Sequence, residues 1–231
     1  MDNFNYFHSG LKPILILNKD SGVLNLHGYK VFNKFDGEAD FEKHENNLPH
    51  QYCSQFVFLK NNILLFSGGK GSRDYFIYVS SKTLINNELT SELLKHFSGI
   101  DCSNINLVIE DSGCVSDLTY CESLILEETM MHFSRFGFKF WLGNMSSMPD
   151  FFIKNGNVVG VEISKNHLWY DDSKYFEKLV DDFKIYGLKV LVEGVVNANL
   201  LSRVVDAEVD LVQDFLCPDT QMQFNSTLIN Y

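Results

Sequence analysis

Short apolar runs alternate with stretches of helical periodicity along the second half of the chain. Runs typical of buried strands occur at 75–79, 105–109, 138–142, 158–163, 188–192 and 211–212. Stretches with the apolar spacing of a helix occur at 87–97, 119–136, 172–186 and 198–206. Repeated strand-helix units favour a parallel sheet covered by helices. We therefore predict an α/β fold, most economically closed as a TIM-like barrel.

The first part of the chain has a different pattern. An apolar run at 13–17 ends in the turn-forming cluster 18–22 and is followed by partial alternation from 23 to 35, which predicts a β-hairpin. The stretch 36–62 is polar, with some helix expected around 51–59, and 67–71 forms a glycine-rich break. The last residues, 219–231, are expected to be a final helix or a loose tail.

Composition sets the class of protein. The 231 residues are 45% hydrophobic, which is enough to bury one large core, so we expect a single domain over 1–231. No apolar run approaches the roughly 18 residues of a spanning helix, and the beginning of the chain does not have the pattern of a secretory leader. Five cysteines without a C-x-x-C pair favour a reducing cytoplasm over a disulfide framework or a zinc site.

The net charge of -11 gives nucleic acid and anionic membranes no long-range attraction. Direct DNA binding and membrane binding are therefore not expected. In a barrel of this type the functional groups lie at the carboxyl ends of the strands, so chemistry should be visible there.

The most specific string begins on the predicted strand 188–192 and reads VLVEGVVN, and DLVQDFL follows about twenty residues later. In the first string, the carboxylate of Glu193 comes directly after a buried strand and is followed by a glycine turn. In the second string, the amide of Gln213 ends the next strand. This resembles the closing motifs of the EAL-domain family of cyclic-di-GMP phosphodiesterases. The opening residues 12–14 and 21–22 and the string GYKVFNKF at 28–35 fit the same order, and the resemblance is weakest over 36–74.

The resemblance implies that most catalytic residues are substituted. In the family, carboxylates and an asparagine hold a pair of divalent metals that activate water. The family's naming glutamate corresponds to Lys30, the asparagine of the next strand end to Tyr78, and the first glutamate of the following motif to Val108.

The later motifs have changed as well. Paired aspartates correspond to Gly143 and Asn144, and the catalytic lysine corresponds to Glu162. Glu193 and Gln213 are retained, and we interpret both as vestigial groups in a barrel mouth. One carboxylate and one amide do not supply the oxygen ligands of two hard cations, so we predict no phosphodiesterase activity, no metal and no cofactor.

Other candidate sites have simpler interpretations. Residues 68–72 do not have the spacing of a phosphate-binding loop and are expected to form a flexible turn. His132 and His167 lie on elements with apolar side chains and are expected to be structural. The pair 171–172 is typical of a helix N-terminus, and the pair 181–182 is typical of a solvated helix face.

Aromatic residues are abundant, with 20 Phe and 10 Tyr. Several stand in polar or loop-like contexts: Phe4, Tyr6, Phe7, Phe32, Phe35, Phe41, Phe151 and Phe152. Exposed aromatics are common anchors of protein interfaces, but these residues could equally cap the ends of the barrel. Individual interface residues are not assigned.

A single EAL-like domain with substituted catalytic residues is similar to small enterobacterial proteins that act by protein contact. That resemblance implies an antagonist of the flagellar master regulator FlhDC, which would bind the FlhD subunit and repress motility. The alternative is a metal-independent receptor for cyclic-di-GMP, in which Lys30 and Lys34 face a phosphate. A negative Glu162 in the place of a lysine, together with the acidic chain, makes cyclic-di-GMP the less favoured partner.

Overall fold

The computed structural model describes residues 8–18, 23–34, 48–68, 73–110, 118–147, 158–170 and 172–215. Eight strands close into a barrel in chain order. They are β1 (His8–Leu17), β2 (Leu24–Lys34), β3 (Asp74–Val79), β4 (Ile105–Ile109), β5 (Lys139–Leu142), β6 (Val158–Ile163), β7 (Lys189–Val192) and β8 (Leu211–Gln213). Strand β1 pairs antiparallel with both β2 and β8, and every other neighbouring pair is parallel. The predicted fold class, including the initial hairpin, is confirmed.

Seven helices are present in the described part of the chain. They are α1 (Leu48–Phe66), α2 (Ser81–Leu84), α3 (Asn87–His96), α4 (Tyr120–Ser134), α5 (Lys165–Tyr170), α6 (Ser173–Ile185) and α7 (Ala198–Asp206). None of them is long and apolar enough to cross a membrane. The predicted tail over 219–231 lies outside the described residues.

The strands separate two apolar clusters because their side chains alternate between the two faces of the sheet. On β4, Ile105, Leu107 and Ile109 belong to the outer cluster that is packed under the helices, while Val108 points into the barrel. The inner cluster consists of Ile14, Phe76, Val108, Trp141, Leu191 and Leu211, with Tyr78 packed against it. Burial on both faces explains why these strands have continuous apolar sequences.

Trp141 is the largest side chain of the inner cluster. Its ring meets Phe76 edge-on at 5.2 Å between centroids, and its Nε1 donates a hydrogen bond to Asn106 Oδ1 at 2.9 Å. The neighbouring strand makes room for it with a glycine, since a Cβ at Gly160 would lie 2.4 Å from the indole ring. The layer of side chains that fills the barrel therefore depends on this pairing of the largest residue with the smallest.

The amino-terminal end of the barrel contains a polar network. Asp74 Oδ2 lies 3.5 Å from His27 Nε2 and 3.3 Å from Lys139 Nζ, which joins three strands. Burial alone would raise the pKa of Asp74, but the hydrogen bond from His27 and the charge of Lys139 outweigh it and lower the pKa below its ordinary value. The network therefore stabilises the fold when Asp74 is ionised.

We expect Asp74→Asn to lower the free energy of unfolding by about 1 kcal/mol at pH 7. Because the pKa of Asp74 is lowered in the folded state, its contribution is fully present above the ordinary carboxyl pKa and is lost as the pH falls through the lowered value. Urea unfolding of both proteins from pH 7 downward should show the two stabilities converging below about pH 4. A difference that stays constant over this pH range would contradict the assignment.

Candidate functional site

Four side chains meet in the interior of the barrel, on the side of the inner cluster where β6 and β7 end. Lys30 Nζ, on β2, lies 3.3 Å from Glu193 Oε1 and 3.7 Å from Glu162 Oε1. The same ammonium lies 4.0 Å from the centroid of the Tyr78 ring. The Tyr78 hydroxyl donates a hydrogen bond to Glu162 Oε1 at 2.5 Å. We call Lys30, Tyr78, Glu162 and Glu193 the mouth cluster.

Strand alternation brings this cluster together. On β6, Val161 and Ile163 pack outward beneath the helices, so Glu162 between them faces the interior. The side chain of Glu162 is only 2% exposed, whereas those of Lys30 and Glu193 are 18% and 26% exposed. The cluster therefore has a buried carboxylate on its inner side and a partly solvated carboxylate on its outer side.

The protonation states follow from burial and from the neighbouring charges. Burial alone would lower the pKa of Lys30, but the carboxylates of Glu162 and Glu193 outweigh burial and raise it. Burial raises the pKa of Glu162, although Lys30 and the Tyr78 hydroxyl act in the opposite direction. Burial, together with the charge of Glu162, also raises the pKa of Tyr78 well above its ordinary value. Lys30 is therefore cationic and Tyr78 is a neutral donor at neutral pH.

The loop that carries Glu193 is held from several sides. Trp169 Nε1 on α5 donates to the carbonyl oxygen of Gly194 at 2.8 Å, and the Gly194 amide donates to Asp214 Oδ2 at 3.2 Å. Gly194 has a φ of +81°, and a Cβ there would lie 2.4 Å from Cβ of Lys165. Glycine is thus required both by the left-handed backbone and by the close approach of α5.

Of the other predicted site residues, some lie beside the mouth cluster and one lies on the surface. Val108 and Gly143 lie beside the mouth cluster: a Cβ at Gly143 would be 3.3 Å from Glu162 Oε2 and 3.3 Å from Cγ1 of Val108. An aspartate at 143 would therefore compete with the Glu162 carboxylate for the same space. Asn144 is exposed, with a φ of +55°, and is not part of the cluster.

Gln213 is fully buried at the end of β8. Within the described residues, neither of its side-chain polar atoms has a hydrogen-bond partner. Its backbone does have a role, because its carbonyl oxygen accepts a hydrogen bond from the Val195 amide at 3.1 Å. Gln213 thus supports the loop after β7, and no side-chain hydrogen bond joins it to the mouth cluster.

Sequence reasoning named Lys30, Tyr78, Glu162 and Glu193 separately and missed that they form one cluster. It also missed the Trp169 and Asp214 contacts that hold the Glu193 loop. A tryptophan four residues after Lys165 on a short helix has no pattern that would point to a loop carbonyl. Such contacts require the barrel to be closed first.

The remaining candidates have local roles. The Asp172 side chain caps α6 by accepting from the Tyr175 amide at 2.8 Å, as predicted for a helix start, while Asp171 lies outside the described residues. Asp181 and Asp182 are exposed, as predicted for a solvated face. His132 Nε2 lies 3.6 Å from Glu128 Oε1, one turn away on α4, and the His167 ring lies 6.5 Å from that of Tyr175. No group of three or more His, Cys, Asp or Glu side chains among the described residues could hold a metal.

Two other predictions fall mostly outside the described residues. Of the glycine-rich break, Ser67 and Gly68 are described beyond the end of α1, and Gly68 has a φ of +65°. Of the aromatic residues in polar contexts, Phe32 is described; it is half-buried, and its ring centroid lies 5.8 Å from Lys12 Nζ. The idea of an aromatic docking patch stays a prediction.

Comparison with solved structures places this geometry in a known fold. The phosphodiesterase PaMucR in complex with c-di-GMP superposes with a TM-score of 0.73 at 10% identity, over 90% of this chain and 93% of that one. The chain has the EAL-domain fold. The Xanthomonas citri FimX EAL domain in complex with c-di-GMP superposes with a TM-score of 0.72 at 14% identity, over 98% of this chain and 90% of that one.

A further EAL-domain protein, from Listeria monocytogenes EGD-e, superposes with a TM-score of 0.68 at 12% identity, over 90% of this chain and 86% of that one. No family model and no curated protein matches the sequence. At these identities the likeness establishes the fold of the chain, and function has to be argued from the site.

The two metals implied by the EAL fold do not fit the mouth cluster. Divalent cations such as Ca²⁺ and Mg²⁺ take about six or more oxygen ligands. Here both carboxylates already lie within 4 Å of one ammonium, and Glu162 also accepts the Tyr78 hydroxyl. The place between the carboxylates is taken by a positive side chain, which would repel a metal ion.

Proposed function

We propose that this EAL-fold protein is not a phosphodiesterase and acts by protein contact, binding the FlhD subunit of FlhDC, blocking its DNA binding and so repressing flagellar genes. The observation that supports the non-catalytic part is the position of Lys30 Nζ, 3.3 Å and 3.7 Å from the two carboxylates of the mouth cluster. A positive charge at this point opposes metal binding and hence the generation of a nucleophilic hydroxide.

The second support is the protonation of the neighbouring groups. Glu193 could act as a general base only from its ionised form, and that form is already bound by the Lys30 ammonium at 3.3 Å. Tyr78 has a pKa raised well above its ordinary value by burial and by the charge of Glu162, so its hydroxyl stays protonated and does not act as a base. The cluster is therefore suited to holding strands together and poorly suited to moving protons.

The choice of FlhD as the partner rests on the resemblance to degenerate single-domain EAL-like proteins. The acidic chain is compatible with a regulator that acts on a DNA-binding protein without touching DNA, because a net charge of -11 opposes contact with phosphates. Surface aromatics such as Tyr120 and Tyr170, which are 79% and 78% exposed, offer side chains of the kind that anchor interfaces.

The experiment that tests the partner is a pull-down of FlhD by the purified protein, followed by a gel shift of FlhDC on a flagellar promoter. We expect FlhD to co-purify and the shifted band to disappear as the protein is added. Glu193→Gln, which alters the barrel mouth, should bind FlhD as the unmodified protein does. If FlhD stays in the flow-through at micromolar concentrations, the named partner is wrong.

A separate assay tests the absence of catalysis. Cyclic-di-GMP is incubated with the protein and MgCl₂ or MnCl₂, and linear product is followed by chromatography; we expect none above the protein-free control. Product that is formed by the unmodified protein and lost in Glu193→Gln would contradict the proposal. PaMucR serves as the positive control, since its structure is described as a phosphodiesterase in complex with c-di-GMP.

The second candidate, a metal-independent cyclic-di-GMP receptor, is favoured by the c-di-GMP complexes of PaMucR and the FimX EAL domain. Against it, the Lys30 ammonium is engaged by two carboxylates and faces a negative cluster. The side chain of Lys34 lies outside the described residues. Calorimetric titration of the protein with cyclic-di-GMP in the absence of metal distinguishes the two candidates. Micromolar affinity would establish the receptor, and the absence of binding would leave the protein-contact proposal.

A further inference from the structure

The contacts of Lys30 resemble those of a bound cation. One ammonium lies within 4 Å of carboxylate oxygens from two different elements, Glu162 on β6 and Glu193 just after β7. The ammonium is a compact point charge at the end of a flexible four-carbon chain that belongs to a third strand, β2. The lysine therefore carries a positive charge from the opposite part of the barrel wall to a point between two negative groups.

An ionised Glu162 needs a cation at this point. Glu162 is 2% exposed, and a carboxylate so far from water is costly to ionise unless it is paired and hydrogen-bonded. Its hydrogen bond comes from Tyr78 at 2.5 Å, which is a neutral donor and supplies no charge. Lys30 supplies the charge, for this carboxylate and for that of Glu193.

We infer that Lys30 is a tethered cation that fills and blocks a latent divalent-cation site formed by Glu162 and Glu193. Replacing the ammonium with a neutral side chain of similar length should leave both carboxylates facing one vacated point. The glutamate oxygens would have to move about 1.2 to 1.7 Å closer to that point to reach the ligand distances of Mg²⁺, and water would complete the shell, as it does at many Mg²⁺ sites. The Tyr78 hydroxyl would then orient Glu162 as an outer-shell partner.

This inference goes beyond the proposed function and does not depend on FlhD. It concerns the point between Glu162 and Glu193 that the Lys30 ammonium occupies, whether or not the protein has a partner. The test measures thermal stability in the presence of metal, so a failure of the FlhD pull-down and a failure of this test are separate results.

The test uses the full chain with Lys30→Met, which keeps the length of the side chain and removes the charge. Melting temperatures are measured at pH 8 with 10 mM MnCl₂ and with NaCl of equal ionic strength. For a site with millimolar affinity we expect MnCl₂ to raise the melting temperature of Lys30→Met by about 3 °C or more. The unmodified protein should shift by less than about 1 °C.

Two control variants isolate the site. Lys30→Arg keeps a cation and should show no response to MnCl₂, and Lys30→Met combined with Glu193→Gln should lose the response because one carboxylate is gone.

Several results would overturn the inference. A stabilisation of the unmodified protein as large as that of Lys30→Met would show that the ammonium does not block the site. The absence of any response in Lys30→Met would show that no latent site exists. If Lys30→Met is unfolded without metal, its refolding on addition of MnCl₂ supports the inference; failure to refold, repeated with Lys30→Gln, which keeps a hydrogen-bond donor, overturns it.

Discussion

Lys30→Glu is expected to lower the free energy of unfolding by about 5 kcal/mol. Removing one partner of a buried ion pair typically costs about 3–5 kcal/mol, because the other charge is left uncompensated. Here the new carboxylate would also repel Glu162 and Glu193, which lie 3.7 Å and 3.3 Å from the lost ammonium. The measurement is urea unfolding at pH 7.5, followed by circular dichroism.

Two variants make this result interpretable. Lys178→Glu changes the net charge by the same amount on the exposed face of α6 and should cost no more than about 0.5 kcal/mol. Lys30→Glu combined with Glu162→Lys restores opposite charges on β2 and β6 and should recover at least half of the loss. If Lys30→Glu were no more damaging than Lys178→Glu, the mouth cluster would not be formed in solution.

Trp141→Ala is expected to lower the free energy of unfolding by about 4 kcal/mol, as large-to-small changes of buried aromatic residues do. The indole is 2% exposed, packs on Phe76 and faces Gly160, which has no side chain to fill the space that the indole leaves. The substitution also leaves Asn106 Oδ1 without its donor, in an interior where an unmade hydrogen bond costs about 1–3 kcal/mol.

The matched variants separate packing from hydrogen bonding. Trp141→Phe keeps an aromatic ring and loses the donor, so its cost should be clearly smaller than that of Trp141→Ala. The chain has one other tryptophan, Trp169, which is 38% exposed, and Trp169→Ala should cost less than Trp141→Ala. An equal loss for Trp141→Ala and Trp169→Ala would contradict the assignment of Trp141 to the barrel interior.

Much of the fold was predictable because its strands are buried on both faces. Strands at 105–109 and 158–163 and the helix at 198–206 have the bounds that the apolar pattern predicts. The pattern failed where an element is too short to show a period, as in α2 and α5. The predicted range of α1, 51–59, is also too short, because the helix runs from Leu48 to Phe66.

The error in α1 has a physical cause. Asn62 is polar and interrupts the apolar pattern of the helix, yet it is only 2% exposed. Its amide donates to the Phe58 carbonyl at 2.8 Å and accepts from the Ser9 hydroxyl at 2.7 Å, so its polar atoms are satisfied inside the protein. A buried amide with tertiary partners looks like a surface residue when the sequence is the only information.

The candidate site was predictable as a set of positions and not as an arrangement. The resemblance to EAL domains indicated Lys30 and Glu162 as substituted positions of opposite sign. That the two side chains pair depends on β2 and β6 facing each other across a closed barrel, and the residues are more than a hundred positions apart in the chain. Local sequence patterns carry no information on such a pairing.

The position of β1 has a consequence for how the protein acquires its structure. Its antiparallel ladder to β8 joins Ile14 to Gln213, roughly 200 residues later in the chain. Contacts with such separation form late, because closing a long loop is entropically costly. A ribosome-bound chain that has not yet produced β8 would expose the edges of β1 and β7, and unpaired edges of this kind promote aggregation. Chain lengths that end before Leu211 should therefore depend on chaperones far more than the complete barrel does.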